Sequence, residues 1–138
     1  MPQSTADNQE SQVRVLLVDD QEDVLRVMQL ILTRCDHYQV ETAASGNLAL
    51  EKAETFAPDI VISDLSMPEM DGCEMMTQLR GKTHLSPFKS IALSGYGASH
   101  QESAMAAGYD IHLAKPVDFD HLTDVIDQLA REKTGAAE

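Results

Sequence analysis

Short apolar runs and helix-period segments alternate along the chain. Val13–Val18, Ile60–Ser63 and Ser90–Leu93 are nearly continuous apolar runs, the pattern of parallel strands covered on both faces. Tyr38–Ala43 and Ile111–Ala114 alternate in polarity, which suits strands with one side open to solvent. Between these runs, apolar residues recur at helical spacing. Val24, Val27, Met28 and Ile31 form one such stripe, and Leu122, Val125, Ile126 and Leu129 form another. Boundary signals agree. Ser99-His100-Gln101-Glu102 reads as a capping box, and Asp118 as the cap of the last helix. Gly108 stands where a helix C-terminus needs a left-handed residue.

Five β-α units in succession imply an α/β fold, a parallel sheet with helices on both faces. Right-handed crossovers leave few topologies. With the two alternating strands at the edges, the strand order is 2-1-3-4-5, a single flavodoxin-like doubly wound (βα)5 domain. The 138 residues suit one domain. Its expected span is 13–131, with tails at 1–12 and 132–138. In such sheets the site lies beyond the carboxyl ends of the strands.

Composition narrows the function. Acidic residues number 23 against 10 basic, a formal charge of -13. A polyanion is repelled by phosphate backbones and by anionic lipid surfaces, so neither direct nucleic-acid nor membrane binding is expected. The N-terminal stretch lacks a basic region and an apolar core, so it is no signal peptide. Cys35 and Cys73 form no CxxC motif, which removes sequence support for zinc or thiol redox chemistry. They read as small apolar residues of a cytoplasmic protein. No second composition block follows, so no output domain is expected here.

The strand ends carry chemistry. Strand one ends in Asp19-Asp20, strand three in Asp64, strand four in Ser94 and strand five in Lys115-Pro116. Carboxylates brought together at neighbouring strand ends repel unless a cation sits among them. Oxygen ligands with water completing the shell fit Mg²⁺. A lysine and a hydroxyl facing such a cluster suit a phosphoryl group, and a carboxylate can itself attack phosphorus. Other motifs fail. Gly81-Lys82-Thr83 lacks the upstream glycine of a P-loop, where Met76 stands instead. His37, His84, His100 and His121 show no metal-ligand spacing and read as exposed or locally bonded. The methionines of Met67–Met76 read as core, and Glu22 and Asp23 as first-turn acids favoured by the helix dipole.

The stretches VRVLLVDDQED, ISDLSMPEMDG, ALSGYG and HLAKPVD resemble the receiver domain of bacterial response regulators, from about Val13 to Ala130. The resemblance implies a two-component or phosphorelay signalling module. Asp64 would accept a phosphoryl group from a histidine kinase or histidine phosphotransfer protein. Asp20 and Asp64 would ligate Mg²⁺ (or Mn²⁺) directly, Asp19 through water, and the backbone carbonyl of Ser66 would complete the protein ligands. Lys115 would pair with the phosphoryl oxygens, next to a Lys115-Pro116 bond that is typically cis. Ser94 would be the switch hydroxyl. Met67-Pro68 would shape the acceptor loop, and Gly72 would allow a tight turn into helix three. Phosphorylation would change the surface of the fourth helix, fifth strand and fifth helix. A downstream protein would then bind, the domain itself being a monomer or a phosphorylation-linked dimer.

Two positions depart from that pattern. His112 stands where the family has Tyr or Phe, either as a polar switch or, by a small margin, as an edge-strand residue at the surface. Tyr96, two residues past Ser94, is either a brake on water attack or a packed loop residue. Two alternatives share this chemistry: a haloacid-dehalogenase-type phosphatase, and a receiver fragment of a hybrid histidine kinase. The phosphatase carries its nucleophile in a D-x-D pair on strand one, whereas this chain reads Asp19-Asp20-Gln21-Glu22 there.

Overall fold

A computed structural model of the chain describes residues 12–95 and 98–133. The strands are β1 (Val13–Val18), β2 (Tyr38–Ala43), β3 (Ile60–Asp64), β4 (Lys89–Ser94) and β5 (Ile111–Ala114). The helices are α1 (Glu22–Leu32), α2 (Gly46–Phe56), α3 (Gly72–Gly81), α4 (Ala98–Ala107) and α5 (Phe119–Lys133). All pairings are parallel and the sheet order is β2-β1-β3-β4-β5. This is the doubly wound order expected from the polarity of the runs.

Each face of the sheet buries its own core. Leu16, Val61 and Ala92 face α2, α3 and α4, meeting Ala53, Met75, Met76, Leu79 and Ala104. Val15, Leu17, Ile62 and Ile91 face α1 and α5, meeting Leu25, Met28, Leu32, Leu122 and Ile126. Each fully buried branched side chain contributes roughly 1.5–3 kcal/mol. The expected α5 stripe is buried throughout. That of α1 is rotated. Leu25, Met28 and Leu32 face the core, while Val27 is 53% exposed and Leu30 62%. The periodicity was right but the helix has apolar residues on two sides, and packing selects one.

Helix ends show the local chemistry. Asp118 caps α5, its Oδ1 accepting from the Asp120 N–H at 3.0 Å. Helix α4 begins at Ala98, so the expected cap residue Ser99 lies inside it, and its side chain is outside the described residues. Asp71 and Glu74 form a reciprocal capping box on α3 instead. Gly108 has φ +114°, and an added Cβ would meet Arg80 Cγ at 2.9 Å. Arg80 ties this corner together, donating to the Gly108 and Phe88 carbonyls and to Asp110 Oδ2, each at 3.0 Å. Cys35 and Cys73 are unpaired and only partly buried at the margins of the two cores. Met67, Met75 and Met76 are core residues, as expected.

Register aligns the strand ends. Val18 is opposite Ser63, so Asp19 leaves β1 as Asp64 ends β3. Asp64 is opposite Leu93, the residue before Ser94. Ser94 is opposite Ala114, the residue before Lys115. Four separated segments thus deliver polar side chains to one edge without any long loop.

Candidate functional site

Asp19, Asp20 and Asp64 each offer one carboxylate oxygen, and these oxygens lie within 4.8 Å of one another. Asp19 is 4% exposed and Asp64 8%, while Asp20 is half-buried. Asp19 Oδ1 accepts from the Gln21 N–H at 2.9 Å, so it also serves the entry to α1. Burial pushes the Asp19 carboxyl above its ordinary value; the Asp64 and Asp20 charges add to that, and the Gln21 N–H and Lys115 oppose it. Such a group is costly to ionise without a counter-charge.

Lys115 supplies part of that counter-charge. Its Nζ donates to Asp64 Oδ1 at 3.0 Å and lies 3.9 Å from Asp19 Oδ2. The Lys115 N–H donates to the Ser94 carbonyl at 2.9 Å, which extends the β4–β5 pairing past the strand. The Lys115-Pro116 peptide is cis. One ammonium against three carboxylates leaves the site electronegative. The donor set, hard oxygens on a rigid sheet edge, fits a divalent cation such as Mg²⁺.

Gly72 sits against Asp64 for a steric reason. A Cβ there would fall 2.5 Å from the Asp64 carbonyl oxygen and 2.9 Å from Leu65 Cα. The chain turns into α3 here, the Gly72 N–H donating to the Leu65 carbonyl at 3.0 Å. Gly72 lies within α3, and close approach to β3, rather than unusual backbone angles, excludes a side chain. The Tyr109 hydroxyl donates to the Gly72 carbonyl at 2.9 Å and fixes that approach.

Ser94 is 2% exposed, and its Oγ lies 2.8 Å from His100 Nδ1 in the first turn of α4. The reading of His100 as locally bonded holds, but its partner is the expected switch hydroxyl. No spacing rule identifies that pair. His112 departs from the surface position expected of it. It is half-buried, and its Nε2 is enclosed with no hydrogen-bond partner among the described residues. The reason is that His112 pairs with Ala92 and shares its sheet face, which α4 covers. Ser66 is exposed in the loop after β3. Tyr96 lies outside the described residues.

Comparison with known proteins decides the family. The model of the response regulator receiver domain matches residues 15–127. The chain belongs to the response regulator receiver domain family. The transcriptional regulatory protein KdpE of Mycobacterium tuberculosis is 35% identical over 124 residues, which cover 90% of this receiver chain. They cover 54% of KdpE, so this chain spans about half the length of that relative. The signal receiver domain of a Bermanella marisrubri response regulator has 38% identity and a TM-score of 0.77, covering 84% of this chain and 96% of that one. A CheY-like receiver domain protein from Methanospirillum hungatei has 27% identity and a TM-score of 0.81, covering 92% and 100%. The two-component receiver assignment, rather than a dehalogenase-type phosphatase, therefore holds. The family is generally a signalling domain rather than a catalyst, and it works with histidine kinases or phosphotransfer proteins. Among the described residues, no helix is long and apolar enough to cross a membrane.

Proposed function

We propose that Asp64 is the phosphoacceptor of this receiver domain, taking a phosphoryl group from a phosphohistidine. The observation that carries the reading is the acidic trio with Lys115 seated on Asp64 at 3.0 Å. In the transfer, an Asp64 oxygen attacks phosphorus and the phosphorus–nitrogen bond of the donor breaks. Its electron pair stays on the imidazole nitrogen, which takes up a proton. Lys115 moves its ammonium from Asp64 to the phosphoryl oxygens. Ser94 donates its hydroxyl to one of them. In this sense the domain assists its own phosphorylation and its later hydrolysis.

Asp20 and Asp64 would hold Mg²⁺ or Mn²⁺ directly, Asp19 through water, with the Ser66 carbonyl as a further ligand. When bound, the cation would neutralise the crowded carboxylates and the charge of the transferring group.

The donor's docking surface adjoins the site. A groove of about 670 Å³ opens beside Asp19 and Lys115, lined by Val24, Val27, Met28, Val117 and Phe119. Together with exposed Leu30 it suits an apolar helical face carrying the phosphohistidine. Output passes to a downstream protein, with the domain a monomer or a phosphorylation-linked dimer. Two unpaired cysteines suit a reducing cytoplasm. His112, whose enclosed Nε2 has no hydrogen-bond partner among the described residues, is the second switch position. A His112→Ala variant that binds its partner with unchanged dependence on phosphorylation would remove it from the mechanism.

Incubation with acetyl phosphate tests the main reading. Label should appear with Mg²⁺, reach at most one phosphoryl group per chain, and vanish in EDTA. Labelling indifferent to EDTA, or many-turnover hydrolysis of a small phosphoester, would contradict it.

A further inference from the structure

The Ser94 hydroxyl has one proton and two lone pairs. At 2% exposure, solvent does not replace a partner that it loses. Its contact with His100 Nδ1 at 2.8 Å joins the end of β4 to the first turn of α4. His100 precedes Ala104 by about one helical turn, and Ala104 is fully buried against the sheet face that carries Ala92. The imidazole thus sets a polar group at one end of the contact between α4 and the sheet.

We propose that His100 is the positioning residue of Ser94. Nδ1 accepts the Ser94 hydroxyl proton in the resting domain and yields it when a phosphoryl group arrives on Asp64. This rests on the reading of Asp64 as phosphoacceptor. Phosphoryl oxygens are acceptors, so Ser94 must aim its single proton at them. Nδ1 then loses its donor. The ring must either gain a proton on Nδ1 by tautomer exchange and donate to Oγ, or leave with the first turn of α4. In both cases the hydrogen bonding of His100 changes when Asp64 is modified. The signal therefore enters α4 at its first turn.

The test uses the full chain with Mg²⁺ and beryllofluoride as phosphoryl mimic, read by ¹⁵N resonances of the histidine rings. In the wild type, beryllofluoride should shift the His100 Nδ1 resonance. In Ser94→Ala, that resonance should start from a different position and stay unmoved. His100→Phe removes this one contact of the hydroxyl, so it should bind beryllofluoride roughly two- to tenfold more tightly, the worth of one hydrogen bond. His100→Gln, which restores an acceptor, should return affinity toward the wild type. The proposal is overturned if beryllofluoride binds in an Asp64-dependent way while Nδ1 stays unmoved in the wild type. Unchanged affinity in a folded His100→Phe would overturn it too. If His100→Phe does not fold, the wild-type and Ser94→Ala spectra decide. Binding that is absent, or indifferent to Asp64→Asn, would instead sink the phosphoacceptor reading and this proposal with it.

Discussion

Replacing Asp19 by Asn should stabilise the metal-free domain and remove most of the stabilisation that a divalent cation adds. The carboxylate oxygens lie within 4.8 Å of one another, and at that spacing two charges repel by about 3.5 kcal/mol at an effective dielectric near 20. Asp19 faces two such neighbours. Its offset is Lys115 Nζ at 3.9 Å, an attraction of about 4 kcal/mol on the same scale. Lys115 is 37% exposed, so solvent weakens its part. After screening, the balance favours the neutral side chain by about 1–2 kcal/mol. Asn keeps an acceptor for the Gln21 N–H and leaves no cavity. For a domain of this size, that is about 3–6 °C in Tm. Thermal unfolding by circular dichroism in EDTA and in Mg²⁺ measures it. In EDTA the variant should melt higher, and in Mg²⁺ the order should narrow or reverse. The pH dependence has a definite sign. Burial raises the folded pKa of Asp19 above its ordinary 3.8. Its contribution is therefore fully favourable below that value and is lost as pH rises through the folded pKa. The gap between variant and wild type should open on raising the pH and close on acidification. A variant that melts at or below the wild type in EDTA at neutral pH would refute the reasoning.

Two further substitutions separate other parts of the account. Gly72→Ala places a Cβ 2.5 Å from the Asp64 carbonyl oxygen. It should cost about 1–3 kcal/mol in urea unfolding and slow labelling by acetyl phosphate. The double variant Val27→Asp, Leu30→Asp changes exposed positions of α1. Stability should shift by no more than about 0.5 kcal/mol per site. Phosphotransfer from a histidine-bearing donor should fall by about tenfold or more, one lost apolar contact being worth about 1.4 kcal/mol. Acetyl phosphate labelling should stay unchanged.

The sheet was legible because strand polarity follows strand position. Ile60–Ser63 is nearly continuously apolar, and β3 lies at the centre. Tyr38–Ala43 alternates, and β2 lies at an edge. The acidic trio, Ser94 and Lys115 followed from asking what stands at each strand end, since the parallel register fixes which ends are neighbours. Four things were not legible. Helix α1 carries apolar residues on two sides, and only packing shows that Leu25 rather than Val27 turns inward. His112 reads as a surface residue of the edge strand, because no sequence pattern reveals that α4 covers that side of β5. His100 meets Ser94 across a connection between strand and helix, and no periodicity governs such a contact. For Gly72, only three-dimensional proximity to Asp64 shows why it has no side chain.

The most direct test is the location of the phosphoryl group. After incubation with acetyl phosphate and Mg²⁺, borohydride reduction of the acyl phosphate followed by peptide mass mapping marks the acceptor. The account predicts a single reduced residue at Asp64 and none in Asp64→Asn. Modification at Asp19, Asp20 or any other residue in the wild type, or undiminished labelling of Asp64→Asn, would contradict it.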